Sequence, residues 1–231
     1  MRYSNVEKAV FLSRPNRFVA EVERDGKTET VHVKNTGRCR ELLLPGATVY
    51  LAKGEGANRK TEYDLVAVEK KRESGAALLV NMDSQAPNAA VEEFLKSGKL
   101  FSSGAAVRRE VFFGSSRFDF YVEDGDRRIF LEVKGVTLEE GGKASFPDAP
   151  TQRGVRHLEE LVRAKEEGFE ACVLFVIQMK EMHSFSPNDK THPAFGKALR
   201  DAAERGVAIL AYDCIVKPDE MVLDQPVPVK L

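Results

Sequence analysis

The sequence contains no tryptophan and only three cysteines among its 231 residues. Cys39, Cys172 and Cys214 are far apart and form no Cys-x-x-Cys pair, which argues against a zinc ribbon or a disulfide framework. We therefore expect unpaired, buried thiols in a reducing compartment.

Long apolar runs are also missing from the chain. No stretch approaches the roughly 20 apolar residues that a membrane-spanning helix needs. The first residues contain no extended apolar segment typical of a secretory signal. The sequence thus predicts a cytoplasmic protein that does not contact a membrane.

Neither sign of charge dominates the chain, whose net charge is −1. The distribution is uneven, because residues 1–82 carry 15 Lys+Arg and 11 Asp+Glu, whereas the remainder carries 20 and 25. A mildly basic first part can attract phosphate, and an acidic second part can hold divalent cations.

The first part, residues 1–82, has the pattern of short strands joined by turns. The stretches "RFVAEVERDG", "KTETVHVKN", "GATVYLAKG", "YDLVAVEKK" and "AALLVNM" alternate or concentrate apolar residues, and Asp25-Gly26 is a hairpin signal. About five strands in this arrangement predict a small all-β barrel of the OB-like type.

The second part, residues 83–231, mixes strands and helices. The stretches "RFDFYV", "RIFLEVK", "EACVLFVIQM" and "VAILAYDCIV" predict strands, and "TQRGVRHLEELVRAKEEG" predicts an amphipathic helix that ends near Gly168. Strands followed by strand–helix alternation predict an α/β domain with a mixed central sheet. We therefore place a domain boundary near residue 82.

Three charged residues interrupt the apolar strands between Ser116 and Leu138. On a strand, Glu132 and Lys134 point to the same face because they are two residues apart. A two-residue hairpin loop at Gly125-Asp126 would set Asp119 directly opposite Glu132, and a loop at Asp124-Gly125 would also keep them on one face. A three-residue loop would separate the faces unless a bulge restored the register.

Such a cluster suits a divalent cation, because two close carboxylates repel each other unless a cation lies between them. Mg²⁺, or Mn²⁺ in its place, would be held by Asp119 and Glu132, with the carbonyl oxygen of Val133 as a further ligand. Lys134 could stabilise developing negative charge in phosphodiester hydrolysis. The alternative interpretation is a surface ladder of salt bridges, which would contribute little.

Asp119 followed by Glu132-x-Lys134 resembles the PD-(D/E)xK motif of restriction-endonuclease-like nucleases, although Phe118 stands where the motif has proline. More of the chain resembles the SfsA family, the sugar fermentation stimulation proteins. The matching stretches are "NTGRCRELLLPGATVYL", "RREVFFGSSRFDFYV", "LEVKGVTL", "ASFPDAPTQRGVRHLEEL" and "LFVIQMKEMHSFSPNDKTHPAF". The resemblance implies an OB-like barrel followed by an α/β restriction-endonuclease-like domain, with DNA binding and nuclease activity.

The resemblance also implies that Glu110 is an additional catalytic acid, the alternative being a salt bridge to Arg108, Arg109 or Arg117. Near the start of the predicted helix, Arg153 could clamp a phosphate, and Thr151 or Asp148 would cap the helix. For His157, a role near neutral pH and a place on the helix surface both stay open.

Basic residues in turns of the first part and beside the motif are the candidate nucleic-acid ligands. They are Arg17, Lys34, Arg38, Arg40, Arg59, Lys60, Arg117 and Arg153. OB-folds combine such residues with stacking aromatics, but we expect Phe18 and Tyr50 to fill the barrel core instead.

Two functions remain open, and both have DNA, or RNA, as the partner. The first is a Mg²⁺-dependent nuclease. The second is a non-catalytic DNA-binding regulator of sugar-utilisation genes on the same scaffold. A sugar-metabolism enzyme is disfavoured, since the chain has no Walker-type loop and no dinucleotide fingerprint. A homodimer is one expected assembly.

Overall fold

The computed structural model describes residues 1–35, 37–54, 59–72 and 75–231. The described residues of the first part form six strands. They are β1 (Val6–Asn16), β2 (Val19–Arg24), β3 (Lys27–Val33), β4 (Thr48–Lys53), β5 (Tyr63–Lys71) and β6 (Ala77–Asn81).

The strands lie in the order β3-β2-β1-β4-β5-β6, and a parallel pairing of β3 with β5 joins the two ends of the first five. This pairing closes a five-stranded barrel, which β6 extends. Alternate residues such as Val22, Val31 and Val49 point inward and are fully buried. The predicted OB-like barrel is confirmed.

The sequence pattern missed β1, the first strand. Its pairing with β2 is interrupted twice, between Phe11 and Ser13 and between Ser13 and Asn16. Such irregularities disturb the alternation of inward and outward residues that marks a strand in the sequence.

The second part forms a central six-stranded sheet, a small three-stranded sheet and three helices. The central strands are β7 (Ala106–Phe113), β8 (Ser116–Asp124), β9 (Arg127–Val136), β12 (Glu170–Ile177), β14 (Ala208–Lys217) and β15 (Glu220–Pro226). The small sheet contains β10 (Leu138–Glu140), β11 (Lys143–Phe146) and β13 (Ser184–Pro187). The helices are α1 (Ala86–Lys96), α2 (Gln152–Glu166) and α3 (Pro193–Glu204).

The central sheet is mixed, as predicted. Its order is β15-β14-β12-β9-β8-β7, and β12 pairs parallel with β9 and β14 whereas the outer pairs are antiparallel. Helix α1 packs on one face through Val91 and Leu95, and α2 and α3 pack on the other through Leu161 and Leu199.

Helix α2 begins and ends where the sequence predicts. The Thr151 hydroxyl accepts a hydrogen bond from the backbone N–H of Gly154 at 3.0 Å, so Thr151 is the N-cap. Gly168, just after the helix, has a φ of 88°, in the left-handed region that glycine adopts without steric cost.

The barrel and the α2–α3 face share one continuous hydrophobic cluster. The two parts also meet at Gln178, after β12, whose amide donates to Asn81 Oδ1 at 2.9 Å and to the Asp83 carbonyl at 3.1 Å. The boundary near residue 82 falls between β6 and α1, and because the core continues across it, that boundary stays a prediction.

No helix in the described ranges is both long and apolar enough to cross a membrane. The three cysteines are buried and unpaired, as expected.

Replacing Phe175 by alanine tests where the core lies. Phe175 is fully buried on β12, and its ring stacks on Phe185 with centroids 4.2 Å apart. Phe175→Ala should lower the free energy of unfolding by about 3–5 kcal/mol, because truncation leaves a cavity. Urea denaturation followed by circular dichroism measures this loss.

The matched control is Phe112→Ala. Phe112 is 72% exposed on β7, so its loss should change the free energy of unfolding by less than about 0.5 kcal/mol. Equal effects of the two changes would contradict this assignment of the core.

Candidate active site

The hairpin of β8 and β9 has the register that brings the predicted acids together. Gly125 and Asp126 form the loop, Asp124 pairs with Arg127, and the ladder continues to Phe120 opposite Leu131. Gly125 has a φ of 63°, which suits a tight hairpin turn. In this register, an uninterrupted ladder would place Asp119 opposite Glu132.

The alternation of β8 is interrupted at Asp119. Phe118 and Phe120 are two residues apart, yet Phe118 belongs to the hydrophobic cluster on the α2 side and Phe120 to the cluster on the α1 side. Asp119 Oδ2 accepts a hydrogen bond from the backbone N–H of Val133 at 2.8 Å. Asp119 is therefore held at the edge of β9, next to Glu132.

A residue of α1 holds the other oxygen of Asp119. The side-chain amide of Asn88 donates to Asp119 Oδ1 at 2.8 Å. Sequence reasoning missed Asn88 as a residue of the site. The available signal was a polar residue in the first turn of a helix whose neighbouring residues are apolar.

Glu132 is the most buried acid of the site, at 3% exposure. Its Oε1 accepts hydrogen bonds from Lys134 Nζ and from His157 Nδ1. Its Oε2 is buried and has no hydrogen-bond partner within the described part of the chain. One carboxylate oxygen is thus saturated, and the other keeps both lone pairs available.

The two carboxyl groups have opposite pKa shifts. Burial raises the pKa of Asp119, and the negative charge of Glu132 raises it further. Burial also acts to raise the pKa of Glu132, but the hydrogen bond from His157 and the charge of Lys134 outweigh it, so that pKa is lowered. Glu132 is therefore held in its ionised form, and its negative charge disfavours ionisation of the neighbouring Asp119. A cation between the two carboxylates would stabilise both charges.

Helix α2 supplies His157, which is 5% exposed. Arg153 Nε donates to His157 Nε2 at 3.3 Å, so Nε2 acts as the acceptor and the ring proton lies on Nδ1, toward Glu132. Because the His157 side chain is buried, the alternative that placed it on the helix surface is wrong. The side chain of Arg153 lies one turn earlier and is exposed, and its role as a phosphate clamp stays a prediction.

Glu110 does not join the buried acids. Its backbone has a φ of 55°, and its exposed carboxylate lies 3.3 Å from the guanidinium of Arg117. This contact is the salt bridge considered as the alternative to an additional catalytic acid. The catalytic role of Glu110 and the nucleic-acid role of Arg117 stay predictions.

The donor atoms fit a hard cation such as Mg²⁺. Glu132 Oε2, the Asp119 carboxylate and the Val133 carbonyl are all oxygens, and Mg²⁺ commonly takes one or two protein carboxylates with water. Over residues 1–35, 37–54, 59–72 and 75–231, no group of three or more His, Cys, Asp or Glu residues is arranged to hold a metal. A closed structural zinc site is thus not found there.

The basic residues predicted on the barrel separate into three groups. Lys34 pairs with the buried Asp83 at 2.7 Å, and Arg59 pairs with Asp64. Lys60 is exposed. Arg17, Arg38 and Arg40 line one cavity together with Arg14, which sequence reasoning missed.

The expectation for the two barrel aromatics was wrong for Phe18. Phe18 is 55% exposed, at the turn between β1 and β2. Tyr50 is half-buried and donates its hydroxyl hydrogen to Glu69 at 2.6 Å.

The fold and the site define a two-domain protein, in which an OB-type barrel precedes an α/β domain with paired acids on adjacent strands. Residues 12–79 match the family model described as the SfsA N-terminal OB domain, and residues 85–220 match the sugar fermentation stimulation protein RE domain. The chain belongs to the SfsA family.

Relatives match the chain along its whole length. A sugar fermentation stimulation protein homolog of Desulfitobacterium hafniense is 55% identical over 231 residues, covering 100% of this chain and 99% of the relative. A homolog from Ruminiclostridium cellulolyticum is 50% identical and covers both chains fully. The solved structure of Pyrococcus furiosus SfsA in complex with Ca²⁺ is 28% identical with a TM-score of 0.85, covering 100% of this chain and 98% of that one.

Removing the histidine donor tests how Glu132 is held. His157→Ala should lower the free energy of unfolding at pH 7 by about 1–3 kcal/mol, because a buried carboxylate loses one partner. The pKa of Glu132 is lowered on folding, so this carboxylate contributes stability above its unfolded pKa, near 4.3, and loses it as the pH falls through the folded pKa. The difference between variant and wild type should therefore shrink below about pH 4.

Urea denaturation at several pH values measures this difference. His157→Asn keeps an amide donor and should recover part of the loss. His183→Ala, at an exposed histidine, should stay within about 0.5 kcal/mol of wild type. A difference for His157→Ala that grows at low pH would contradict the assignment.

Proposed function

We propose that the chain is a divalent-cation-dependent nuclease that hydrolyses phosphodiester bonds in DNA or RNA. The observation that supports this most is the carboxylate of Glu132, whose Oε1 is held by Lys134 and His157 while its buried Oε2 has no partner within the described residues. Burying a carboxylate oxygen without a partner is costly. A cation bound there and by Asp119 would remove that cost.

The residues around the acids have roles that suit phosphodiester hydrolysis. A bound divalent cation would supply positive charge that stabilises the transition state. Lys134 lies beside Glu132 and would stabilise negative charge on the scissile phosphate or orient the attacking water. Arg153 would bind the phosphate through its exposed guanidinium, and His157 and Asn88 would position the two acids.

The solved relative adds support for a cation. Pyrococcus furiosus SfsA was solved in complex with Ca²⁺, and Ca²⁺, like Mg²⁺, takes oxygen ligands. In nuclease assays we expect Mg²⁺ or Mn²⁺ to support hydrolysis in this chain.

The second candidate is a DNA-binding regulator that does not cut. One observation favours it: in the part of the chain described, no three acidic, histidine or cysteine residues are arranged to hold a metal. The family name links either candidate to sugar fermentation. A homodimer and a cytoplasmic location stay predictions.

Hydrolysis of labelled DNA and RNA, single- and double-stranded, tests the proposal. Cleavage should require Mg²⁺ or Mn²⁺ and stop in EDTA. Glu132→Gln should abolish it by weakening cation binding, and Lys134→Ala should slow it roughly 100-fold or more by removing a charge that stabilises the transition state.

The matched control is Glu140→Gln, which changes an exposed glutamate of the same domain and should leave the rate unchanged. Nucleic-acid binding by wild type with no metal-dependent cleavage would favour the regulator. Cleavage that persists in both Glu132→Gln and Lys134→Ala would place the chemistry elsewhere.

A further inference from the structure

We infer that an arginine-lined pocket on the barrel, together with the exposed ring of Phe18, binds a single-stranded segment of nucleic acid. The inference rests on the proposed function for the kind of molecule bound. The inference adds that the nucleic acid is single-stranded and names the residues that recognise it. This binding needs no cation.

The charged residues that line the pocket are all arginines. Its volume is about 420 Å³, and its walls include Arg14, Arg17, Arg38 and Arg40. No Asp or Glu is among the described residues that line it. Four guanidinium groups without a lining carboxylate suit an anionic ligand, and arginine binds phosphate in a bidentate manner.

Arg14 fixes the two loops that carry the other three arginines. Its guanidinium donates to the carbonyl oxygens of Arg17 and Arg38 at 2.7 Å and of Asn35 at 2.8 Å. Its Nε is buried and has no partner in the ranges described. Because these donors contact neutral carbonyls, the charge of Arg14 is not neutralised by them.

Arg17, Arg38 and Arg40 are exposed, and none of them pairs with a carboxylate in the described portion of the chain. Lys34 and Arg59 contrast with them, because each is paired with an acid. The arginine charges at the pocket are therefore available to a ligand, whereas those at Lys34 and Arg59 are largely used within the protein.

Phe18 directly follows Arg17, one of the arginines that line the pocket. Its backbone N–H donates to Asn16 Oδ1 at 2.9 Å, and its carbonyl accepts from Val33 N–H at 2.8 Å, so the residue is fixed while its ring is exposed. A base of a single strand can stack on such a ring, whereas the bases of a duplex are already stacked within the helix. Arginines that bind the phosphates, together with a ring on which a base can stack, thus favour a single-stranded ligand.

The pocket is linked to the candidate active site through one loop. A Cβ built on Gly37, which lines the pocket, would lie 2.3 Å from Asp148 Oδ2. Asp148 lies three residues before Thr151, the cap of α2, and α2 carries Arg153 and His157. The segment that forms the pocket therefore packs against the segment that leads into the site helix.

Tryptophan fluorescence provides the test, since the chain has no tryptophan of its own. Phe18→Trp places a single tryptophan directly after Arg17 of the pocket, and Phe112→Trp places one at an exposed position on β7. With EDTA present, a 20-nucleotide single-stranded DNA should quench the fluorescence of the Phe18→Trp variant by base stacking and leave the Phe112→Trp signal unchanged. A hairpin duplex of equal charge should quench the Phe18→Trp signal much less.

Fluorescence anisotropy of a labelled single strand measures the contribution of the arginines and of the ring. Arg38→Ala with Arg40→Ala should weaken binding by about 10-fold or more and reduce its salt dependence. Phe18→Ala should weaken it by about 10-fold. Arg200→Ala with Arg205→Ala removes the same charge from α3 and its C-terminal end and should have little effect.

Three results would overturn the inference. They are equal quenching at both tryptophan positions, duplex binding as tight as single-strand binding, and displacement of the strand by ATP or phosphate at comparable concentration. If binding depends on these arginines but no cleavage occurs in Mg²⁺, the pocket inference is supported and the proposed nuclease activity is contradicted. If cleavage occurs in Mg²⁺ but the arginine variants bind as tightly as wild type, the nuclease proposal is supported and the pocket inference is contradicted.

Discussion

The site depends on one physical constraint, which is the burial of an ionised carboxylate whose two oxygens differ in their hydrogen bonds. Glu132 Oε1 receives hydrogen bonds from Lys134 and His157, whereas Oε2 has no partner among the residues described. The cost of burying the charge is offset on one side only. A cation bound at Oε2 is the partner that we propose for this oxygen.

Elements from different parts of the chain hold the two acids of the site in place. The hairpin of β8 and β9 sets Asp119 beside Glu132, α1 contributes Asn88, and α2 contributes His157. Helix α2 is held in place by its Thr151 cap and by the core that it shares with the barrel. The barrel is thus part of the support of the site as well as the element that carries the arginine pocket.

Much of this arrangement could be predicted from residue spacing. A hairpin loop at Gly125-Asp126 sets a register that brings Asp119 near Glu132, because strand pairing fixes which residues face each other. The mixed sheet and the barrel follow from the order of apolar runs and turns. Resemblance to the family gave the paired domains, and the family models agree with it.

Other features depend on tertiary contacts that spacing does not determine. His157 lies beside the apolar stripe of α2, and only the packing of that helix on β9 decides whether it is buried. The interruption of β8 at Asp119 brings Val133 N–H to its carboxylate, and no residue type in that stretch signals it. Phe18 was assigned to the core because aromatic residues usually are buried, but its turn points the ring outward.

The central claim is that Asp119 and Glu132 bind a divalent cation. Diffraction from crystals soaked in Mn²⁺, recorded at a wavelength where Mn²⁺ scatters anomalously, tests it most directly. We predict an anomalous peak in contact with Glu132 Oε2 and an Asp119 oxygen, and its absence in Glu132→Gln crystals. A peak only at other positions, or Lys134 Nζ bound to Glu132 Oε2 in crystals soaked with the ion, would contradict the account.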